Sequence, residues 1–116
     1  QMCIRDRTNF EWKDLELNSE GLLPVIVQDY IDHTVLMYTY MDESAWEKTL
    51  ATGLLTYYSK SHKRAIVKGK KYGNYQYVRE LFLNGERNAL LIKVYPMGPA
   101  CDDSKKSCFS NEIEEI

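Results

Sequence analysis

Hydrophobic residues in this chain fall in short, strand-sized runs separated by turn-forming residues. Residues 24–29 form a β-branched run ended by a polar pair, the pattern of a buried strand. After the turn Ile31-Asp32-His33, residues 34–40 make a second strand, and two strands joined so closely predict a hairpin. The period then changes. Asp42 precedes a stretch in which Trp46 and Leu50 stand four apart, and Gly53 follows it. A carboxylate at that position accepts the unpaired N–H groups of a first helical turn, so a helix is predicted over residues 43–51. Residues 54–59 and 65–68 read as strands around a basic turn, 60–64, and Gly69 and Gly73 bracket a Lys-rich loop. Residues 75–83 and 89–95 predict a second, longer hairpin around 84–88. Upstream, residues 10–15 carry aromatic side chains without a clear period, and Asn18-Ser19-Glu20-Gly21 is a turn cluster. Downstream, 96–109 has loop composition and 110–116 is an acidic tail. The predicted class is α+β, mainly β: small antiparallel sheets in a barrel-like arrangement with one clear helix, forming a single domain over residues 8–116.

Composition narrows the function classes. The length of 116 residues suits one domain, and 44% apolar with 28% charged residues is the balance of a folded chain, not a disordered one. Lys and Arg number 15 against 17 Asp and Glu, a net charge of −2, so a strongly basic nucleic-acid binder is not expected. No apolar run approaches the roughly 18–20 residues of a membrane span, and the N-terminus has no apolar signal region. The expectation is a cytoplasmic protein with neither nucleic acid nor membrane as partner. Residues 1–7, Gln-Met-Cys-Ile-Arg-Asp-Arg, stand apart. They resemble the translation of a transposon-end sequencing adapter and are read as non-native. Setting them aside removes Cys3 and leaves Cys101 and Cys108.

Three groups of residues carry candidate chemistry. Ser59, Lys60 and Ser61, with Lys63, Arg64, Lys68, Lys70 and Lys71, gather hydroxyl and cationic donors near one strand end, and Gly69 and Gly73 can add backbone N–H groups. That set suits phosphate, and it also suits an exposed, solubilising loop. His62 in the same turn can contact phosphate while charged for only part of the time at neutral pH. Cys101 and Cys108 lie seven apart in a loop; thiolates suit zinc, and a disulfide or two thiols are the alternatives. Asn84-Gly85 between two strands is a hairpin-turn signal. The nine tyrosines sit mostly at strand positions, where core or sheet packing explains them.

Taken in order, several segments resemble the phosphoribosyl-AMP cyclohydrolase family of histidine biosynthesis. They are Gly21-Leu-Leu-Pro-Val-Ile-Val-Gln-Asp29, Val35-Leu-Met-Tyr-Thr-Tyr-Met41, Tyr58-Ser-Lys-Ser61, Lys68-Gly69, Gly73-Asn74 with Gln76, and Gly98-Pro-Ala-Cys101 followed by Ser107-Cys108-Phe109. The resemblance implies a homodimer of mainly β subunits with active sites at the interface. It implies a hydrolase in which water opens the N1–C6 bond of the adenine ring of phosphoribosyl-AMP. Zinc, by lowering the pKa of bound water to roughly 7, would supply the nucleophile. Cys101 and Cys108 match two of the family's three zinc thiolates. Ser59, Lys60, Ser61, Lys68, Gly69, Gly73 and Asn74 match its substrate-binding positions.

The metal motif departs from the family. Its Asp-Cys-Asp-x-Asp block is here Asn84-Gly85-Glu86-Arg87-Asn88. Gly85 stands where the third zinc cysteine comes from the partner subunit. Asn84, Glu86 and Asn88 replace three magnesium aspartates, so magnesium binding is expected to be weak or lost, with Glu86 the remaining candidate ligand. Asp102 stands where the family has His after the first cysteine; it and Asp103 are candidate oxygen donors to a metal. Val67 replaces a family Trp. The expected function is therefore the family's hydrolysis with a remodelled zinc site. The alternative is a catalytically degenerate homologue that binds a phosphorylated nucleotide or a protein partner.

Overall fold

Alternation of apolar and polar positions builds the main sheet from the two predicted hairpins. The computed structural model describes residues 9–101 and 105–116. The adapter-like residues 1–7 and the metal candidates Asp102 and Asp103 lie outside the described residues. Strands β1 (Leu23–Asp29) and β2 (Val35–Met41) pair antiparallel from Leu23↔Met41 to Gln28↔Val35, with an irregularity after Val27. Leu23, Val25 and Val27 are fully buried while Ile26 between them is exposed, the period of two expected of a half-covered sheet.

The helix α1 (Glu43–Thr52) forms where its signals stand. The Asp42 carboxylate accepts from the Ala45 N–H at 2.8 Å, and Gly53 adopts φ 76° to end the helix. Its buried face is Ala45, Trp46, Thr49 and Leu50. Two short strands, β3 (Thr56–Ser59) and β4 (Arg64–Val67), form a separate antiparallel pair. The second long hairpin, β5 (Gln76–Leu83) and β6 (Leu90–Pro96), pairs from Gln76↔Pro96 to Leu83↔Leu90.

The two long hairpins join side by side in the order β2-β1-β6-β5. Their junction is parallel, running from Val25↔Leu90 to Asp29↔Val94, so the four-stranded sheet is mixed rather than wholly antiparallel. The pairing has a packing reason. β1 and β6 both bury every second residue, so setting them in phase places Val25, Val27, Leu90, Ile92 and Val94 in one apolar layer. The connection between them carries α1 and the β3–β4 pair, and Trp46 and Leu50 of α1, with Leu55 just before β3, join the same core. The tyrosines do sit mostly on strands, but none belongs to the buried core.

The free edge of β2 is covered by an irregular segment near the C-terminus. The Cys108 N–H donates to the Leu36 carbonyl at 2.7 Å, and the Ser107 hydroxyl donates to the Val35 carbonyl at 2.6 Å. Lys106 reaches over the β1–β2 turn to Asp29, at 3.3 Å, and to Asp32. Among the described residues no helix is long and apolar enough to cross a membrane.

Candidate functional site

The basic turn between β3 and β4 and the loop after β4 border one cavity of about 880 Å³. Its wall includes His62 from the turn, Arg64 from the start of β4, Lys68, Gly69 and Asn74 from the loop, and Cys101. Lys70 and Lys71 add two further cations. Eight of the sequence-derived candidates, His62, Arg64, Lys68, Gly69, Lys70, Lys71, Asn74 and Cys101, are thus brought to a single surface.

Local backbone geometry positions this loop. Gly69 takes φ 83°, and a Cβ there would lie 2.1 Å from the Asn74 carbonyl oxygen, so the chain crosses itself at a point only glycine permits. Gly73, at φ 72°, turns the loop back without such crowding. The Asn74 amide donates to the Pro99 carbonyl at 3.0 Å, which orients the side chain. Its Oδ1 is then left buried without a hydrogen-bond partner. An orphaned acceptor in the wall of a cavity lined by cations accommodates a ligand that carries both anionic and donor groups. The neighbouring Gln76 is fully buried; its Nε2 donates to the Asn74 carbonyl at 3.3 Å, and its Oε1 too lacks a partner.

Ser59, Lys60 and Ser61 are placed differently from one another. Ser59 ends β3 and is buried, while Ser61 is exposed in the turn. Their hydroxyls are 3.2 Å apart, and both approach His62 Nδ1, Ser59 at 2.9 Å and Ser61 at 3.3 Å. They therefore reach the cavity through His62. Lys60 turns to the other side, ion-paired with Glu20 at 3.1 Å and resting 4.2 Å from the centre of the Tyr40 ring. The expected phosphate donors are therefore divided between the cavity and its rim.

The two cysteines are both reduced thiols. Cys101 is half-buried in the cavity wall, whereas Cys108 is exposed and belongs to the segment that covers β2. Among the described residues no three His, Cys, Asp or Glu side chains gather as a metal site. Gly85 and Cys101 stand toward opposite ends of the β5–β6 hairpin. Residues 84–88 close the β5–β6 hairpin beyond Leu83↔Leu90, while Cys101 follows the opposite end, beyond Gln76↔Pro96. Strands advance about 3.3 Å per residue, so the separation is on the order of 20 Å.

The 84–88 turn is closed on itself. Asn84 Oδ1 accepts from the N–H groups of Asn88 and Ala89 at 2.9 and 3.0 Å, and its amide donates to Asn88 Oδ1. Both asparagines are thus engaged in shaping the turn, and Glu86 is its single carboxylate. Arg87, at φ 57°, completes the turn and lies 5.2 Å from the centre of the Phe10 ring.

Some cavity residues had no signal along the chain. Tyr57 and Ile66 reach the cavity from β3 and β4, and Tyr72 from the loop after β4. Only proximity in the folded chain collects them; the Lys and Gly residues around them are the signal that could have marked the region.

Residues 37–110 match the family model for phosphoribosyl-AMP cyclohydrolase. The chain is 43% identical over 105 residues to the phosphoribosyl-AMP cyclohydrolase of Pelotomaculum thermopropionicum, covering 90% of this chain and 81% of that protein. It is 41% identical over 97 residues to the protein of the same name from Listeria innocua, covering 84% of this chain and 92% of the relative. Identity reaches 44% over 96 residues with the histidine biosynthesis bifunctional protein HisIE of Staphylococcus epidermidis, covering 83% of this chain. The chain spans about half the length of such bifunctional relatives, 46% in the staphylococcal case. With the family model covering well over half of the chain and relatives above 40% identity matched over more than four-fifths of it, the chain belongs to the phosphoribosyl-AMP cyclohydrolase family.

Proposed function

We propose that the chain opens the N1–C6 bond of the adenine ring of phosphoribosyl-AMP by hydrolysis, as a step of histidine biosynthesis in the cytoplasm. The observation that carries the reading is the cavity itself. Arg64, Lys68, Lys70 and Lys71 offer charge to phosphate, and the unsatisfied Asn74 Oδ1 offers an acceptor to a ribose hydroxyl or the adenine amino group. In steady-state ring opening, Lys68→Ala and Asn74→Ala should each raise KM about tenfold. Unchanged KM in both variants would remove this cavity as the substrate site.

Zinc fits the thiols in kind and not in number. Cys101 and Cys108 are the proposed donors, and zinc held there would supply an activated water; a catalytic site needs three protein ligands with an open position. Magnesium finds only Glu86 in the turn that replaces the family's aspartates. The separation of that turn from Cys101 within one chain supports a homodimer, in which a second copy brings the two ends together. The self-closed Asn84–Asn88 turn favours a second reading, a homologue that keeps the nucleotide cavity and has lost catalysis.

A further inference from the structure

Three groups at the turn between β3 and β4 form a short hydrogen-bonded chain whose direction depends on one proton. Ser59 Oγ accepts from the His62 backbone N–H at 3.2 Å and lies 2.9 Å from His62 Nδ1 and 3.2 Å from Ser61 Oγ. The longer Ser61 Oγ–Nδ1 approach, at 3.3 Å, closes the triangle without changing which way Ser61 points when Nδ1 is unprotonated. A hydroxyl has one proton and two lone pairs. With Nδ1 unprotonated, Ser59 donates to it, and Ser61 donates inward to Ser59. The outward-facing hydroxyl then presents lone pairs, which repel an anion. With Nδ1 protonated, Ser59 accepts both the ring N–H and the backbone N–H, so its own proton goes to Ser61. The proton of exposed Ser61 is then released toward solvent and ligand.

The two neutral tautomers differ in which donor they withhold. One offers Nε2–H and keeps the Ser61 proton inward; the other frees Ser61 and presents an Nε2 lone pair. Only the imidazolium offers both donors, together with a positive charge at the cavity wall that His62 shares.

We propose that His62 is a specificity-determining residue that takes phosphate monoesters in its protonated form, because protonation reverses the Ser59–Ser61 chain and makes Ser61 an outward donor. The inference rests on the reading of the cavity as a phosphoribosyl nucleotide site. The groups that share its surroundings are Lys60, Lys63 and Arg64 on the same turn, with Lys60 drawn off by Glu20. Across the cavity stand Lys68, Lys70, Lys71 and Cys101, with the Tyr57 and Tyr72 phenols. His62 is the single imidazole among these groups.

Adenosine monophosphate is the probe, its binding measured from pH 6.5 to 8.0 in the wild type, His62→Arg and His62→Gln. The arginine variant keeps its charge throughout, so its profile carries the remaining titrations, and the ratio to wild type isolates His62. Wild-type affinity should fall about fivefold more than that of His62→Arg across this range, the size of one exposed charge-assisted hydrogen bond. His62→Gln should be weak at every pH. In the wild type, the His62 ring resonance should titrate at higher pH when the nucleotide is bound, a readout that needs no variant to fold. Superimposable wild-type and arginine profiles, or a ring titration indifferent to nucleotide, would overturn the proposal and leave the cavity assignment intact. No nucleotide binding at any pH would overturn both.

Discussion

At Gly69 the backbone takes φ 83°, and an added Cβ would lie 2.1 Å from one backbone atom of Asn74 and 2.4 Å from another. Gly85 is the opposite case: φ is not positive there and nothing lies within 4 Å of an added Cβ. Gly69→Ala should therefore cost about 3 kcal/mol, from strain and collision together, and weaken nucleotide binding by displacing Asn74. Gly85→Ala should stay within about 0.5 kcal/mol of the parent in urea denaturation. Equal losses in the two variants would contradict this reading of the loop. The sequence marks Gly69 and Gly73 as turn residues because little else tolerates that backbone. It does not show that Gln76 is fully buried or that Asn74 has an unpaired oxygen, since both depend on which neighbours the fold supplies.

At the scale of elements, the regular pieces were legible and their pairing was not. Period and capping residues place both long hairpins, the β3–β4 pair and α1 to within a residue or two. The parallel β1–β6 pairing joins segments far apart in sequence, and no local pattern distinguishes it from other registers. The segment that covers β2 has no period, because its contacts come from single side chains and backbone groups. Its attachment is electrostatic in part. The Lys106 hydrogen bond, aided by the Thr34 backbone N–H, holds the Asp32 carboxyl well below its ordinary value of 3.8, and Asp32 in turn raises the Lys106 ammonium. A carboxyl lowered in the folded state contributes stability above the unfolded value, and that contribution is lost as pH falls through the folded one. Protection of the Cys108 amide from hydrogen exchange should thus fall as pH drops below about 4, and Lys106→Ala should reduce it at neutral pH. After correction for intrinsic exchange, protection unchanged by acid and by Lys106→Ala would contradict the clamp.

At the scale of the whole molecule, the metal question turns on the two ends of the β5–β6 hairpin. Within one chain residue 85 and Cys101 lie on the order of 20 Å apart, so a thiol introduced at 85 can complete a zinc site only in a dimer. Gly85→Cys should tighten zinc binding by tenfold or more, and the gain should grow with protein concentration. Cys101→Ser should abolish zinc retention in both backgrounds; unchanged zinc content in that variant would remove Cys101 from the metal site. Here the family motif was the informative feature of the sequence, since spacing alone leaves two cysteines open to several readings. The predicted hairpin already set its turn at the end opposite Pro96, and the observed pairing keeps that arrangement.

Turnover of phosphoribosyl-AMP by protein lacking residues 1–7, with zinc and magnesium supplied, decides between catalysis and binding alone. Ring-opened product is expected, with activity rising further in Gly85→Cys. A folded protein that binds adenosine monophosphate in the cavity and produces no ring-opened product would contradict that expectation, and would assign the chain to the binding-only reading instead.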